Sequence, residues 1–141
     1  MIQSSADRIR ASFQLIAPKA SEVIDSFYAN LFAAAPAVRA MFPEDMQQQK
    51  AHLLAAVGLV VKQADNLGAL REPLLAMGQR HANYGAHPTH YAAVREVLLA
   101  TLAQHAGPAW TAQLEDDWRG AINVVAKVMI EGQLTSTSRV A

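Results

Sequence analysis

From Ser4 to Gly132 the apolar residues recur at three- and four-residue steps, and no stretch alternates apolar with polar. Steps of three and four stack side chains on one face of a helix, whereas a half-buried strand needs a period of two. The pattern predicts an all-α chain of about seven or eight helical pieces. Ser4 with Asp7 three residues on forms a capping box for a first helix running to Ala17, with Ile9, Phe13 and Ile16 on one face. Pro18 suits the first turn of a second helix that carries Val23, Ile24, Phe27, Tyr28, Leu31 and Phe32. Pro36 starts a short helical turn that ends near Phe42-Pro43. Asp45 can then cap a helix striped by Met46, Leu53, Val57, Val60 and Ala64, with Gln49 on the same face. Asn66-Leu67-Gly68 breaks the pattern, and a shorter helix follows from Leu70 to His81. Pro88 to His105 is strongly periodic. Gly107-Pro108 ends it, and Thr111 can cap a last helix lined by Leu114, Trp118, Ala121, Ile122, Val125 and Met129. Gly132 is expected to stop that helix. The turn between the last two helices is short, so they are expected to pack antiparallel.

No repeat or long linker divides the chain, and 141 residues suit one domain. An ordered core is expected over about residues 5–132, with a flexible polar tail over 135–141. Hydrophobic residues make up 52% and charged residues 17%, enough apolar surface to line a ligand pocket as well as a core. Formal net charge is zero, so a basic face for nucleic acid has no support. Cysteine is absent, which excludes disulfides, zinc–thiolate sites and iron–sulfur clusters. Without a basic-then-apolar leader or a membrane-length apolar run, the default expectation is a cytoplasmic protein with no membrane partner. Nothing in the sequence sets an oligomeric state.

The chemistry concentrates in M-G-Q-R-H-A-N-Y-G-A-H-P-T-H-Y, residues Met77 to Tyr91. His81 sits in the last turn of one helix, ahead of an expected break at Gly85. An imidazole there can donate one ring N–H to a carbonyl of the preceding turn and aim its other nitrogen at a metal. An iron held by a haem is the reading that uses it best; a histidine without a ligand is the plain alternative. Phe42, where a short helix ends, could lie against a porphyrin or belong to the core. Tyr28 and Gln49 are polar groups on apolar faces and need partners when buried. They either bond to each other or to backbone, or meet a polarised gas molecule. His52, three residues after Gln49, would reach the pocket only if the helix register were shifted. A zinc site from His81, His87 and His90 is weakened by the Pro88 turn between them. His105 has no evident role. Phosphate-binding glycine loops, G-x-S-x-G and H-E-x-x-H are absent.

In order along the chain, F-Y-A-N-L-F (Phe27 to Phe32), V-R-A-M-F (Val38 to Phe42), Q-K-A-H-L (Gln49 to Leu53), R-H-A-N-Y-G-A (Arg80 to Ala86), H-Y (His90-Tyr91) and G-P-A-W before the Trp118 helix resemble a globin. The likeness is to bacterial single-domain globins related to the haem domain of flavohaemoglobins, and to neuroglobin-like chains. It implies the globin fold around haem b. It makes His81 the proximal iron ligand, Phe42 the ring on the haem, and Tyr28 and Gln49 the distal pair that acts on the bound gas. Leu53 becomes the apolar residue over the iron, Tyr91 the tyrosine beneath the proximal histidine, and Arg80 a partner for a haem propionate. One departure stands out. Where flavohaemoglobins join that histidine and tyrosine through a glutamate, the matching position here is Gln133, while Glu131 should face elsewhere. Gln133 carries no charge, which puts a peroxidase-like electronic push in doubt.

The resemblance implies a haem globin that binds O2, NO, CO or similar ligands. Two donors in a dry pocket, each worth about 1–3 kcal/mol, imply tight oxygen binding and release slowed roughly ten- to a thousandfold. That suits nitric oxide dioxygenase-type detoxification. Flavohaemoglobins carry their reductase after the globin, so turnover here is expected to draw electrons from a separate reductase. A non-enzymatic oxygen store or gas sensor is the alternative, and a haem-free helical interaction domain is a third reading from a different class.

Overall fold

The computed structural model describes residues 4–83 and 87–140, with the side chains of residues 83, 88 and 135–140 left outside the description. Six α-helices follow in order, with short 3-10 turns between some of them: α1 (Ser5–Ile16), α2 (Ala20–Ala34), α3 (Gln47–Lys62), α4 (Arg71–Asn83), α5 (Pro88–Ala106) and α6 (Ala112–Val140). No strand occurs among the described residues. No helix of the described residues is long and apolar enough to cross a membrane. The 3-10 turns Ala17–Lys19, Pro36–Met41, Leu67–Leu70 and Gly107–Ala109 account for the finer division than the seven or eight pieces expected. Pro18 lies in the first of these, not in the first turn of α2.

The caps follow the sequence closely. The Ser4 hydroxyl accepts from the Asp7 N–H at 3.1 Å and the Asp7 carboxylate accepts from the Ser4 N–H at 3.2 Å. The N-cap of α3 is Met46, and Asp45, one residue before it, accepts from the Gln47 N–H at 3.0 Å; Thr111 accepts from the Leu114 N–H at 3.0 Å. Each satisfies one of the orphan donors that every helix start exposes. Gly107, at φ 57°, ends α5 in the left-handed region where a Cβ would be strained.

Packing joins α1, α2, α3, α5 and α6 through one core containing Ile9, Phe27, Leu31, Leu99, Leu102 and Trp118. Polar links fix how the helices cross. Arg8 on α1 grips the Asp117 carboxylate on α6 with two nitrogens, and the Trp118 indole N–H donates to the Ser12 hydroxyl at 2.9 Å. Arg10 donates to the Val61 and Lys62 carbonyls at the C-terminal end of α3, at 3.2 and 2.7 Å, and pairs with Asp65. Cations favour that end of a helix because its last carbonyls have no intrahelical donor. Asn30 on α2 donates to Thr101 on α5 at 3.0 Å.

One expectation needs correction. Helix α6 does not stop at Gly132: its backbone stays helical to Val140. The reason is that Gly132 sits against the Leu75 backbone of α4, where any Cβ would overlap a carbonyl. The glycine serves close helix packing and does not terminate the helix. The expected flexibility of 135–141 falls on residues whose side chains, and for 141 the backbone, lie outside the described residues. Helices α5 and α6 do pack on each other, as their short connection implies, while the most extensive packing of α6 is with α4.

The α5–α6 contact carries a titratable link. Glu96 accepts from Arg119 at 2.7 Å and 3.2 Å and from the adjacent Arg95 at 2.8 Å. Hydrogen bonds from Arg119 first, then Arg95, hold its carboxyl down to about 2, against an ordinary value of 4.5. A depressed folded value means that the stabilisation is complete above pH 4.5 and is lost as pH falls toward 2. Glu96 is half exposed, so solvent screening limits the effect. Glu96→Gln is expected to lower stability by at most about 1 kcal/mol at neutral pH. Urea denaturation from pH 6 to pH 3 should show that gap narrowing.

Candidate functional site

The candidate residues fall into two groups: Tyr28 on α2, Phe42 just after the 3-10 turn Pro36–Met41 and Gln49 on α3 form one, and His81 on α4 and Tyr91 on α5 form the other. On α2, Tyr28 is buried within an aromatic group: its ring centroid lies 5.0 Å from Phe27, 5.7 Å from Phe42 and 5.9 Å from Phe32. Phe42 follows directly on the short turn and is half buried, edge-on to Phe32 at 5.4 Å. The Arg39 guanidinium lies 5.2 Å from the Phe32 ring centre. It also donates to the Phe42 and Pro43 carbonyls at 3.2 and 3.1 Å, which holds the chain where the turn ends.

Gln49 on α3 donates its amide N–H to the Tyr28 hydroxyl oxygen at 3.1 Å. Of the two readings the sequence leaves open, this is mutual bonding. It also has a direction. The phenol oxygen accepts, so the phenol proton remains available to donate elsewhere, and accepting one bond makes it a better donor. Burial pushes the Tyr28 phenol above its ordinary 10, and the Gln49 bond offsets this only in part. Tyr28 therefore keeps its proton at neutral pH. His52 is exposed while Gln49 and Leu53 are half buried, so the register of α3 turns Gln49 and Leu53 inward and His52 out.

On α4, His81 is half buried, and its Nδ1 lies 2.7 Å from the Met77 carbonyl one turn earlier. A carbonyl only accepts, so Nδ1 carries the hydrogen and the imidazole lone pair sits on Nε2. Arg80 is exposed. Tyr91, in the first turn of α5, has its ring centroid 6.3 Å from that of His81. Its hydroxyl is buried without a hydrogen-bond partner among the described residues, and burial raises its phenol above 10. Gln133 is buried on α6, whereas Glu131 faces outward and pairs with Arg71 of α4 at 3.0 Å. The two positions thus point apart as their spacing implied.

The remaining histidines do other work. His87 is the N-cap of α5: its Nδ1 accepts from the Thr89 N–H at 3.4 Å, and the His90 Nδ1 accepts from the His87 N–H at 2.9 Å. His105 lies 3.0 Å from the Ser26 hydroxyl. Among the described residues, no three or more His, Asp or Glu side chains are grouped to hold a metal ion, so the His81–His87–His90 zinc reading gains no geometry. The break expected at Gly85 lies outside the described residues. Met77, the acceptor that orients His81, was foreseeable only as an unspecified carbonyl of the preceding turn. Gly78 beside it carried no signal, because one glycine inside a helical pattern looks the same whether or not another helix needs its space.

Comparison with known proteins supplies the context. The globin family model matches residues 25–129. A flavohaemoprotein of Vibrio cholerae is 27% identical over 134 residues, which covers 93% of this chain but 34% of that protein. The chain thus spans about a third of the length of the flavohaemoproteins it matches. Among solved structures, a bacterial globin from Campylobacter jejuni superposes with a TM-score of 0.84 at 22% identity, covering 95% of this chain and 97% of that one. An engineered carbene transferase, made from a Rhodothermus marinus protein proposed to be a nitric oxide dioxygenase, gives 0.86 at 23% identity, covering 99% and 98%. At such identities these likenesses speak to the fold alone. The matched family model takes in Tyr28, Gln49, His81 and Tyr91 together, and the chain belongs to the globin family.

Proposed function

We propose that this globin holds haem b through His81 and binds oxygen and other diatomic gases beside Tyr28. The observation that carries the reading is the 2.7 Å approach of His81 Nδ1 to the Met77 carbonyl. It selects the tautomer whose Nε2 can take an axial position on a metal, and it raises the basicity of that nitrogen. The donor set fits the group. One neutral imidazole stands on α4, and the half-buried apolar side chains of Phe42 and Leu53 would offer apolar surface to a porphyrin. Exposed Arg80 suits a propionate at the rim, and the Tyr91 ring, its centre 6.3 Å from that of His81, would stand beside the ligating histidine.

When bound, haem supplies a redox-active iron with a position for a small gas. The chain's own part is to hold the imidazole, to keep the distal side apolar, and to present one directed donor. Tyr28, made a better donor by Gln49, would offer its proton to a polarised gas ligand that gains negative charge. A charge-assisted hydrogen bond in such a place is worth roughly 1.5–3 kcal/mol. We infer slow oxygen release, which suits reaction of held oxygen with nitric oxide more than oxygen delivery. Repeated turnover would draw electrons from a reductase. Plain oxygen storage or gas sensing is the second reading, favoured by the neutral Gln133 on the proximal side.

An absorption spectrum of the purified protein, ferric and then reduced with carbon monoxide, tests haem binding: a Soret band should shift at both steps. A colourless protein that does not take up haemin would overturn the proposal. Tyr28→Phe keeps the ring and removes the donor. Stopped-flow displacement should show oxygen leaving roughly ten- to a hundredfold faster. An unchanged rate would remove Tyr28 from the distal role.

A further inference from the structure

Helix α4 carries His81, yet it makes substantial tertiary contact with α6 and the 3-10 turn Leu67–Leu70 only, its packing on the other described elements being slight. Its height above the rest of the protein is therefore set by how closely it sits on α6. Two glycines decide that distance, one from each helix. A Cβ at Gly78 would overlap the Met129 carbonyl of α6, and a Cβ at Gly132 would overlap the Leu75 carbonyl of α4. The pairs Gly78–Met129 and Leu75–Gly132 run in opposite directions, so the helices meet antiparallel, backbone on backbone, across one turn. Gly78 follows Met77, the residue whose carbonyl orients the His81 ring. The Arg71–Glu131 ion pair spans the same helix pair.

We propose that Gly78 and Gly132 are positioning residues for the axial histidine: by omitting side chains they seat α4 directly on α6 and fix the point from which His81 reaches its metal. The proposal rests on the haem reading of His81, but the seat itself belongs to the polypeptide. A methyl group at either position must withdraw to ordinary contact, between 3.4 and 4 Å. Because the obstacle is a backbone carbonyl, no neighbouring rotamer can yield, and α4 must move by on the order of 1 Å. Displacement of that size at a reacting group is enough to change its chemistry. Gly120, also on α6, meets nothing within 4 Å and serves as the control.

The test uses the full chain in two states. In haem-loaded Gly78→Ala and Gly132→Ala, resonance Raman of the ferrous protein should show the iron–histidine band moved from its wild-type position, and transfer of haem to an acceptor globin should quicken about ten- to a hundredfold. Gly120→Ala should match wild type in both. Truncating Met129 in the Gly78→Ala background should not restore the band, since the overlap is with backbone. Folded glycine variants with the wild-type band and haem-loss rate would overturn the proposal. Should an alanine variant fail to fold, hydrogen exchange of the wild-type apoprotein decides. Amides of residues 75–79 should be protected together with those of 129–132, and free exchange of α4 beside a protected α6 would show that no seat exists without haem. That measurement is independent of haem binding, so failure of the haem reading shows separately, as a protein without a Soret band.

Discussion

Replacing His81 by alanine is expected to leave a helical, folded protein that loses the wild-type haem spectrum. The side chain is half buried and lies outside the buried core, so its removal costs little packing. What it removes is the Nε2 lone pair and the Nδ1 donor to Met77. Loss of an orienting partner behind a metal ligand commonly costs ten- to a hundredfold in affinity, and loss of the ligand itself should cost more than about a hundredfold. Haem titration followed at the Soret band measures this, with circular dichroism to confirm the helices. Added imidazole should restore part of the spectrum by occupying the vacated space. A His81→Ala protein with wild-type haem affinity and reduced spectrum would transfer the axial role to another residue, and the haem reading of α4 would fall with it. His52→Leu is the comparison: an exposed imidazole on α3 should be replaceable with little change in the spectrum.

Trp118→Ala should produce the largest loss of stability of any substitution away from the pocket. Trp118 is 2% exposed and joins α6 to α1 in the core. Its indole N–H donates to Ser12, whose own hydroxyl donates to the Ile9 carbonyl at 2.7 Å. Emptying a site of this size costs about 3–5 kcal/mol. A domain of this kind holds only about 5–15 kcal/mol in all. The apoprotein's melting temperature should fall by about 10–15 °C. Trp118→Phe keeps most of the apolar volume and deletes one donor, so it should cost about 1–3 kcal/mol. Equal losses for the two variants would mean that the hydrogen bond and not the packing dominates here. Both should be measured without haem, because ligand binding adds stability by mass action.

The helices were legible in the sequence because their causes are local. Periodicity at three and four residues, a Ser4–Asp7 capping box, Asp45 and Thr111 at helix starts, and Gly107-Pro108 at a corner each act within a turn or two of chain. The same holds for the register of α3: Gln49, His52 and Leu53 stand in a fixed angular relation on one helix, so once its apolar stripe is known the exposed one is His52. Glu131 and Gln133 separate for the same reason. Local causes also account for the Met77 carbonyl under His81, since i and i−4 are neighbours on any helix.

Tertiary structure alone decided what depends on residues far apart in the chain. Periodicity placed Tyr28 and Gln49 on apolar faces, but the approach of α2 to α3 made them partners and gave that bond its direction. The role of Gly132 is the sharpest case. Read locally, a glycine after an apolar helical run is a stop, because its backbone entropy weakens a helix. In the folded chain α4 lies so close that only a glycine fits, and the packing of two backbones outweighs the local cost. Residues 75 and 132 are distant in sequence and nothing in their types announces that they meet. The amino-acid sequence by itself thus determined the helices, their caps and the chemical groups available to the site, whereas the crossing of the helices determined which of those groups meet, because contact between distant segments is a property of the packed chain and not of any stretch within it.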